Sequence, residues 1–205
     1  MVGIIDYGVG NLFSLKSSFK EIGAEAFVSS DPQELAKADR LVLPGVGAFG
    51  NAVEKLRASG LDKFVVEQAN SGKPLLGICL GMQMLFDDSF EYGHHEGLGL
   101  LRGSVVPMEG RLPSELKIPH IGWNALHKVN PNSKILSNVA EGQHVYFVHS
   151  FYVTGCEESL ASTTEYGVSI TASVEKDNIY GCQFHPEKSG QVGLNILREF
   201  VKERD

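Results

Sequence analysis

Apolar positions follow two periods along this chain, and the change between them marks its elements. Residues 2–5, 41–43 and 75–78 are short continuous apolar runs, the pattern of strands buried on both faces. Residues 26–29 read as a further strand. Between these runs the spacing becomes helical. Leu12, Leu15, Phe19 and Ile22 share one stripe, which predicts an amphipathic helix over 12–22 after a turn at 8–11. Asp31-Pro32-Gln33-Glu34 carries a helix-start signal, with Asp as N-cap, Pro at N1 and Glu at N3. Helical spacing returns over 52–58, over 61–70 up to Ser71-Gly72, and over 80–86. Strands alternating with helices predict a parallel sheet with helices on both faces.

The second half changes character. Residues 104–107, 145–148, 160–164, 169–174 and 179–183 are strand-like runs joined by turns, and 192–201 is a closing amphipathic helix. Stretches 89–97 and 109–115 read as surface loops. No repeat, low-complexity tract or linker interrupts the chain. The expectation is one α/β domain over 1–205, with a mostly parallel central sheet flanked by helices and antiparallel strands added in the second half.

Composition narrows the function classes. The chain has 205 residues, 42% hydrophobic and 21% charged, enough for a proper core and unlike a disordered segment. The net charge is −7, and the 18 Lys and Arg form no cluster, so the basic footprint of a nucleic-acid binder is missing. No apolar run approaches the ~18 residues of a membrane span. Cys79, Cys156 and Cys182 cannot all pair within one chain, and no CxxC occurs. Free thiols suit a reducing compartment, and no basic stretch precedes an apolar one at the N-terminus. A cytoplasmic location is expected.

The sharpest chemical feature is Gly77-Ile78-Cys79-Leu80-Gly81-Met82-Gln83. A cysteine stands between an apolar strand and a helix, with glycines two residues to either side. That is the logic of a nucleophile elbow, a tight turn that thrusts the side chain out at the C-terminal edge of the sheet. A buried core cysteine is the bland alternative; Cys156 and Cys182 lack the glycine context and read that way. A thiolate nucleophile needs a base and the base needs an orienting acceptor. Gln183-Phe184-His185-Pro186-Glu187 offers both, His185 at a strand end and Glu187 two residues on. Leu43-Pro44-Gly45-Val46-Gly47 is a glycine-bracketed strand end whose amides suit an oxyanion, with the Leu80 amide as second donor. No Lys-Ser/Thr follows as a phosphate loop requires, and His94-His95 has no companion ligands at metal spacing.

Together these motifs resemble the class I (triad) glutamine amidotransferases, over residues 2–201. Four further segments are similar to the histidine-biosynthetic branch of that family. They are Asp6-Tyr7-Gly8-Val9-Gly10-Asn11-Leu12, Leu43-Pro44-Gly45-Val46-Gly47-Ala48-Phe49, His120-Ile121-Gly122-Trp123-Asn124 and His149-Ser150-Phe151-Tyr152. Ile121 stands where Met is usual, a volume-conserving apolar change, and Phe151 where Tyr is frequent, a change tolerated if only its backbone amide contacts glutamine.

The resemblance implies that Cys79 is the nucleophile, His185 the acid/base and Glu187 its orienter. It implies an oxyanion strand at Gly45, Val46 and Gly47 with Leu80 opposite. Gln83, Glu91, Ser150 and Phe151 resemble the groups that hold glutamine. Asn11, Trp123 and Lys188 resemble residues facing a partner. The implied reaction is hydrolysis of glutamine, without metal or organic cofactor. Its ammonia passes to a separate (β/α)8-barrel cyclase subunit in a heterodimer, which makes imidazole glycerol phosphate and aminoimidazole carboxamide ribotide. Two other readings stand beside it: the glutaminase of another amidotransferase, and a non-catalytic module on the same fold. The Gly-Trp-Asn and Pro-Gly-Val-Gly segments weigh against the first, and the intact Cys, His and Glu set against the second.

Overall fold

The computed structural model describes residues 1–202. Its first half is built from β1 (Val2–Ile5), β2 (Ala26–Ser29), β3 (Arg40–Leu43) and β4 (Leu75–Ile78), joined through helices α1 (Leu12–Glu21), α2 (Pro32–Leu35), α3 (Phe49–Ala58) and α4 (Leu61–Asn70). The strands lie in the order β2, β1, β3, β4 and all pair in parallel. Period-2 alternation divides their side chains between two cores. Leu41 and Leu43 of β3 face α3 and α4, where they meet Phe49, Leu56 and Val65. Val42 faces the other side, with Leu15 and Phe19 of α1 and Leu197 and Phe200 of α6 (Gly190–Val201). Asp31 caps α2 as expected, accepting from the Gln33 amide at 2.8 Å, while Glu34 turns to the Ser29 hydroxyl at 2.6 Å.

One expectation is corrected in a way that builds the site. The run at 179–183 does not join as an antiparallel addition on every side. Strand Ile179–Cys182 pairs antiparallel with Ser169–Lys176 but parallel with β4, from Ile179 opposite Leu75 to Cys182 opposite Ile78. The hairpin between the two arms reverses direction at Asp177, whose φ is 55°. Asn178 then ties that turn to the end of α4, donating to Ala69 O at 2.8 Å and Lys73 O at 2.9 Å. The returning arm therefore runs beside β4 in the same sense, and both strands end at one edge of the sheet.

Beyond it the sheet continues antiparallel through Ser169–Lys176, Leu160–Glu165 and His127–Lys128. Two smaller sheets pack at this edge: His120–Ala125 with His144–His149, and Phe151–Thr154, Ser104–Pro107, Asp88–Ser89 and His95–Glu96. The stretch 89–97 is thus no free surface loop, since it carries strand pairing and a buried Glu91. The helix expected over 80–86 is only one turn, α5 (Leu80–Gln83).

Candidate active site

The turn from β4 into α5 holds Cys79 at φ 54°, a left-handed conformation that costs energy for a side-chain-bearing residue. The flanking glycines are required by space. A Cβ on Gly81 would stand 1.9 Å from Leu43 O, and one on Gly77 2.7 Å from Met82 Cα. The elbow therefore packs directly on the end of β3. Across the sheet edge, Cys182 O accepts from the Cys79 amide at 2.7 Å, so the strand leading to His185 is locked to the elbow.

His185 follows three residues after that strand's Cys182. Its amide donates to Tyr146 O at 3.0 Å and its carbonyl accepts from Ser189 Oγ at 2.6 Å. Its Nδ1 lies 2.8 Å from Glu187 Oε1, and the two side chains are 3% and 1% exposed. The second carboxylate oxygen, Oε2, has no hydrogen-bond partner among the described residues. Burial works against a charge on His185. Interactions with the Cys79 side chain and with Glu187 outweigh it and raise the imidazole to about 9. The structure thus brings Cys79, His185 and Glu187 together, with the acid partner at Nδ1 of the ring.

The segment after β3 lies against the elbow. A Cβ on Gly45 would come within 2.7 Å of the Gly81 amide nitrogen and 2.9 Å of Leu80 Cβ. Tyr7, which the sequence reading did not single out by itself, anchors this segment by donating to Pro44 O at 2.8 Å. Burial, helped by the nearby Cys79, pushes the Tyr7 hydroxyl well above its ordinary range, so it stays a donor. Gly47 has φ 92°. The Leu80 amide is the first of α5, where no intrahelical acceptor is available.

A cavity of ≈ 430 Å³ opens between these parts, lined among others by Val46, Gly47, Cys79, Leu80, His185 and Lys188. Gln83, Glu91, Ser150 and Phe151 line it too. Gln83 is buried and its Nε2 is committed to Phe151 O at 3.1 Å and Gln183 Oε1 at 2.9 Å, which leaves its own Oε1 as acceptor. Glu91 Oε2 accepts from the Phe49 amide at 2.7 Å, capping α3. Burial raises the Glu91 carboxyl above its usual range, against that bond.

Of the three residues expected at a partner face, Trp123 is 56% exposed and stands edge-on to Tyr146 at 6.2 Å. Lys188 Nζ lies 5.9 Å from the centre of the same Tyr146 ring. Asn11 caps α1, accepting from the Ser14 amide at 3.4 Å. The turn carrying Lys188 packs against α1. Ile121 and Phe13 are exposed as well.

Comparisons with known proteins give the family. The family described as glutamine amidotransferase class-I matches residues 3–203. Solved structures give the fold. One glutamine amidotransferase aligns with TM-score 0.75 at 19% identity, covering 98% of this chain and 96% of that chain. PurLQS from Thermotoga maritima aligns with TM-score 0.73 at 19% identity and the same coverage. The chain belongs to the class I glutamine amidotransferases. Sequence relatives narrow this. Imidazole glycerol phosphate synthase subunit HisH of Bacillus licheniformis is 53% identical over 203 residues, 98% of this chain and 95% of the relative. That of Bacillus subtilis is 47% identical, covering 98% and 96%. Within its class the chain falls in the HisH family, the glutaminase subunits of imidazole glycerol phosphate synthase.

Proposed function

We propose that this chain hydrolyses glutamine by acyl transfer through Cys79 and serves as the ammonia source of a synthase making imidazole glycerol phosphate. The observation that carries the reading is a cysteine held at φ 54° on a glycine-bracketed elbow, beside a buried His185 with Glu187 2.8 Å behind it. The Cys79 thiolate attacks the side-chain amide carbon of glutamine. The C–N bond breaks, His185 hands its proton to the leaving ammonia, and a thioester remains. His185 then takes a proton from water, and the hydroxide so formed releases glutamate and the thiol. The Leu80 amide and a donor from Gly45, Val46 or Gly47 hold the oxyanion in both steps. Gln83 Oε1 and Glu91 accept from the substrate ammonium, and the Ser150 and Phe151 backbone receives its carboxylate. The steps balance without a metal or organic cofactor.

Ammonia passes to a separate (β/α)8-barrel cyclase bound as a heterodimer on the face of Asn11, Trp123 and Lys188. An exposed tryptophan and a lysine that share the Tyr146 ring, with Ile121 exposed two residues along the same strand from Trp123, support that face as the one covered. We read residues 1–205 as one glutaminase domain, its last three residues lying outside the described ones, acting in the cytoplasm. Among the described residues no helix is long and apolar enough to cross a membrane. The test is labelling with an electrophilic glutamine analogue followed by peptide mass mapping. One label on Cys79 with loss of turnover is expected; a label on Cys156 or Cys182 instead, or none, refutes the assignment.

A further inference from the structure

Two histidines that the reaction leaves idle lie at the glutamine cavity, His149 in its lining and His120 behind His149. His120 opens the strand His120–Ala125 and pairs directly with His149, the end of His144–His149. Both side chains are buried, and His120 Nδ1 is 3.0 Å from His149 Nε2. The His120 ring stacks on Phe147 and Tyr166, at centroid separations of 4.9 Å and 4.1 Å.

The ends of this pair determine its protons. Asn124 Oδ1 accepts from the Ala125 amide at 2.8 Å, which fixes the orientation of the side-chain amide. Asn124 Nδ2 therefore donates, to Glu165 O at 2.8 Å and to His120 Nε2 at 3.3 Å. His120 Nε2 accepts, so a neutral ring carries its proton on Nδ1. That proton points at His149 Nε2, which accepts in turn. The His149 proton is then on Nδ1, where it donates to Phe151 O at 2.8 Å, an atom that can only accept. Every link has one donor and one acceptor only when both rings are neutral. Burial favours the same state, lowering His120 to about 4 and His149 to about 3.

The far end of the relay is the substrate cradle. Phe151 begins the edge strand Phe151–Thr154. Met108 donates its amide to Ser150 O at 3.0 Å, so Ser150 sits at a hydrogen-bonded position of the ladder. Phe151, opposite Pro107, occupies the alternate position, and its amide and carbonyl face away from that neighbour. They face the side where His149 and Gln83 line the cavity, and both of these hold the carbonyl.

We propose that His120 and His149 are positioning residues for glutamine. The relay from Asn124 to Phe151 O holds the Ser150 and Phe151 backbone in place to receive the substrate α-carboxylate. This rests on the reading that those backbone groups bind glutamine. They touch the end of the substrate that does not react, so losing the relay weakens ground state and transition state alike and appears in KM.

Long-range 1H–15N NMR of the full chain at neutral pH reads the relay directly. Both rings are expected neutral with the proton on Nδ1; a proton on Nε2 of either ring overturns the proposal. Kinetics of the complex with the cyclase read its effect. His120→Phe keeps the aromatic stack but removes the donor, and should raise KM for glutamine about tenfold while kcat changes less than about twofold. His149→Asn keeps a donor at the δ position but cuts the link to His120, so it should raise KM less than His149→Ala does. An unmoved KM in folded His120→Phe, or a loss confined to kcat, overturns the positioning role. Cys79 labelling by a glutamine analogue in the parent protein reports on the underlying reading, so labelled protein with an unmoved KM rejects the relay alone.

Discussion

The charge on His185 is set by neighbours that pull in opposite directions, and each is one substitution away from being tested. Burial disfavours the cation, while Cys79 and Glu187 favour it and prevail, raising the ring from 6.5 to about 9. A raised pKa means the folded state binds the proton more tightly than the unfolded one. The resulting stabilisation is full below about 6.5 and is lost as pH rises through about 9. Glu187→Gln removes one of the two favourable partners and leaves burial unopposed by it. The His185 titration, followed by NMR, should therefore move down, and kcat should fall on the order of 100-fold because the imidazolium loses its charged support. An unmoved midpoint with unchanged kcat would take Glu187 out of the triad. Cys79→Ala separates the two half-reactions more sharply. Glutamine-dependent synthesis by the complex should vanish while ammonia-dependent synthesis persists, because in the proposed mechanism Cys79 makes ammonia and does not touch its acceptor. Loss of both in a well-folded complex contradicts that division.

At the level of elements, the elbow depends on two glycines that leave no room for a side chain. Gly81→Ala would drive a methyl to 1.9 Å from Leu43 O, a backbone atom that cannot swing aside. Overpacking of this kind costs about 3 kcal/mol, which for a chain of this size lowers Tm by roughly 6–12 °C. Differential scanning calorimetry checks it, and an unchanged Tm would mean that β3 and the elbow are not in contact. The glycine pair and the strand before it were legible in the sequence because a tight strand-to-helix turn is a local event. The same holds for the strand and helix alternation up to residue 78. What was not legible depends on distant partners. The spacing over 80–86 reads as helix, yet the Leu98 amide takes Met84 O at 2.8 Å and the Leu100 amide takes Leu85 O at 2.9 Å, so the chain turns after Gln83. Glu91 lies in a stretch that reads as a surface loop, and nothing nearby in sequence shows that it will cap α3. The parallel pairing of Ile179–Cys182 with β4 spans about a hundred residues of sequence, and only its motif, not its register, is visible locally. His120 and His149 belong to the family-like segments at 120–124 and 149–152, but a relay between facing strands becomes visible only once they are paired.

For the molecule as a whole, an unregulated glutaminase wastes its substrate, and the segment after β3 offers a means of control. Its two ends differ. Pro44 O is held by the Tyr7 hydroxyl at 2.8 Å, whereas the peptide between Val46 and Gly47 makes no hydrogen bond to the described residues. Gly47 is at φ 92° with nothing within 4 Å of where a Cβ would be, and Val46 is partly exposed. Glycine adopts positive and negative φ at little steric difference, so this peptide has two accessible orientations. With its carbonyl toward the cavity it repels the forming oxyanion; with its amide there it stabilises that charge. A missing oxyanion donor costs on the order of 100- to 1,000-fold in rate. A partner controls the choice only if it interacts differently with the two conformers. The cavity provides that link, because Lys188 lines it together with Val46 and Gly47 and also packs on Tyr146 beside Trp123 at the expected partner face. The expectation is that glutaminase kcat is low for the chain alone, higher with the cyclase, and highest with the cyclase and its nucleotide bound, the full span reaching on the order of 100-fold or more. Steady-state release of glutamate under the three conditions measures it. Equal kcat in all three would refute control at this peptide and leave the roles of Cys79, His185 and Glu187 untouched, since those rest on the elbow and its neighbours alone.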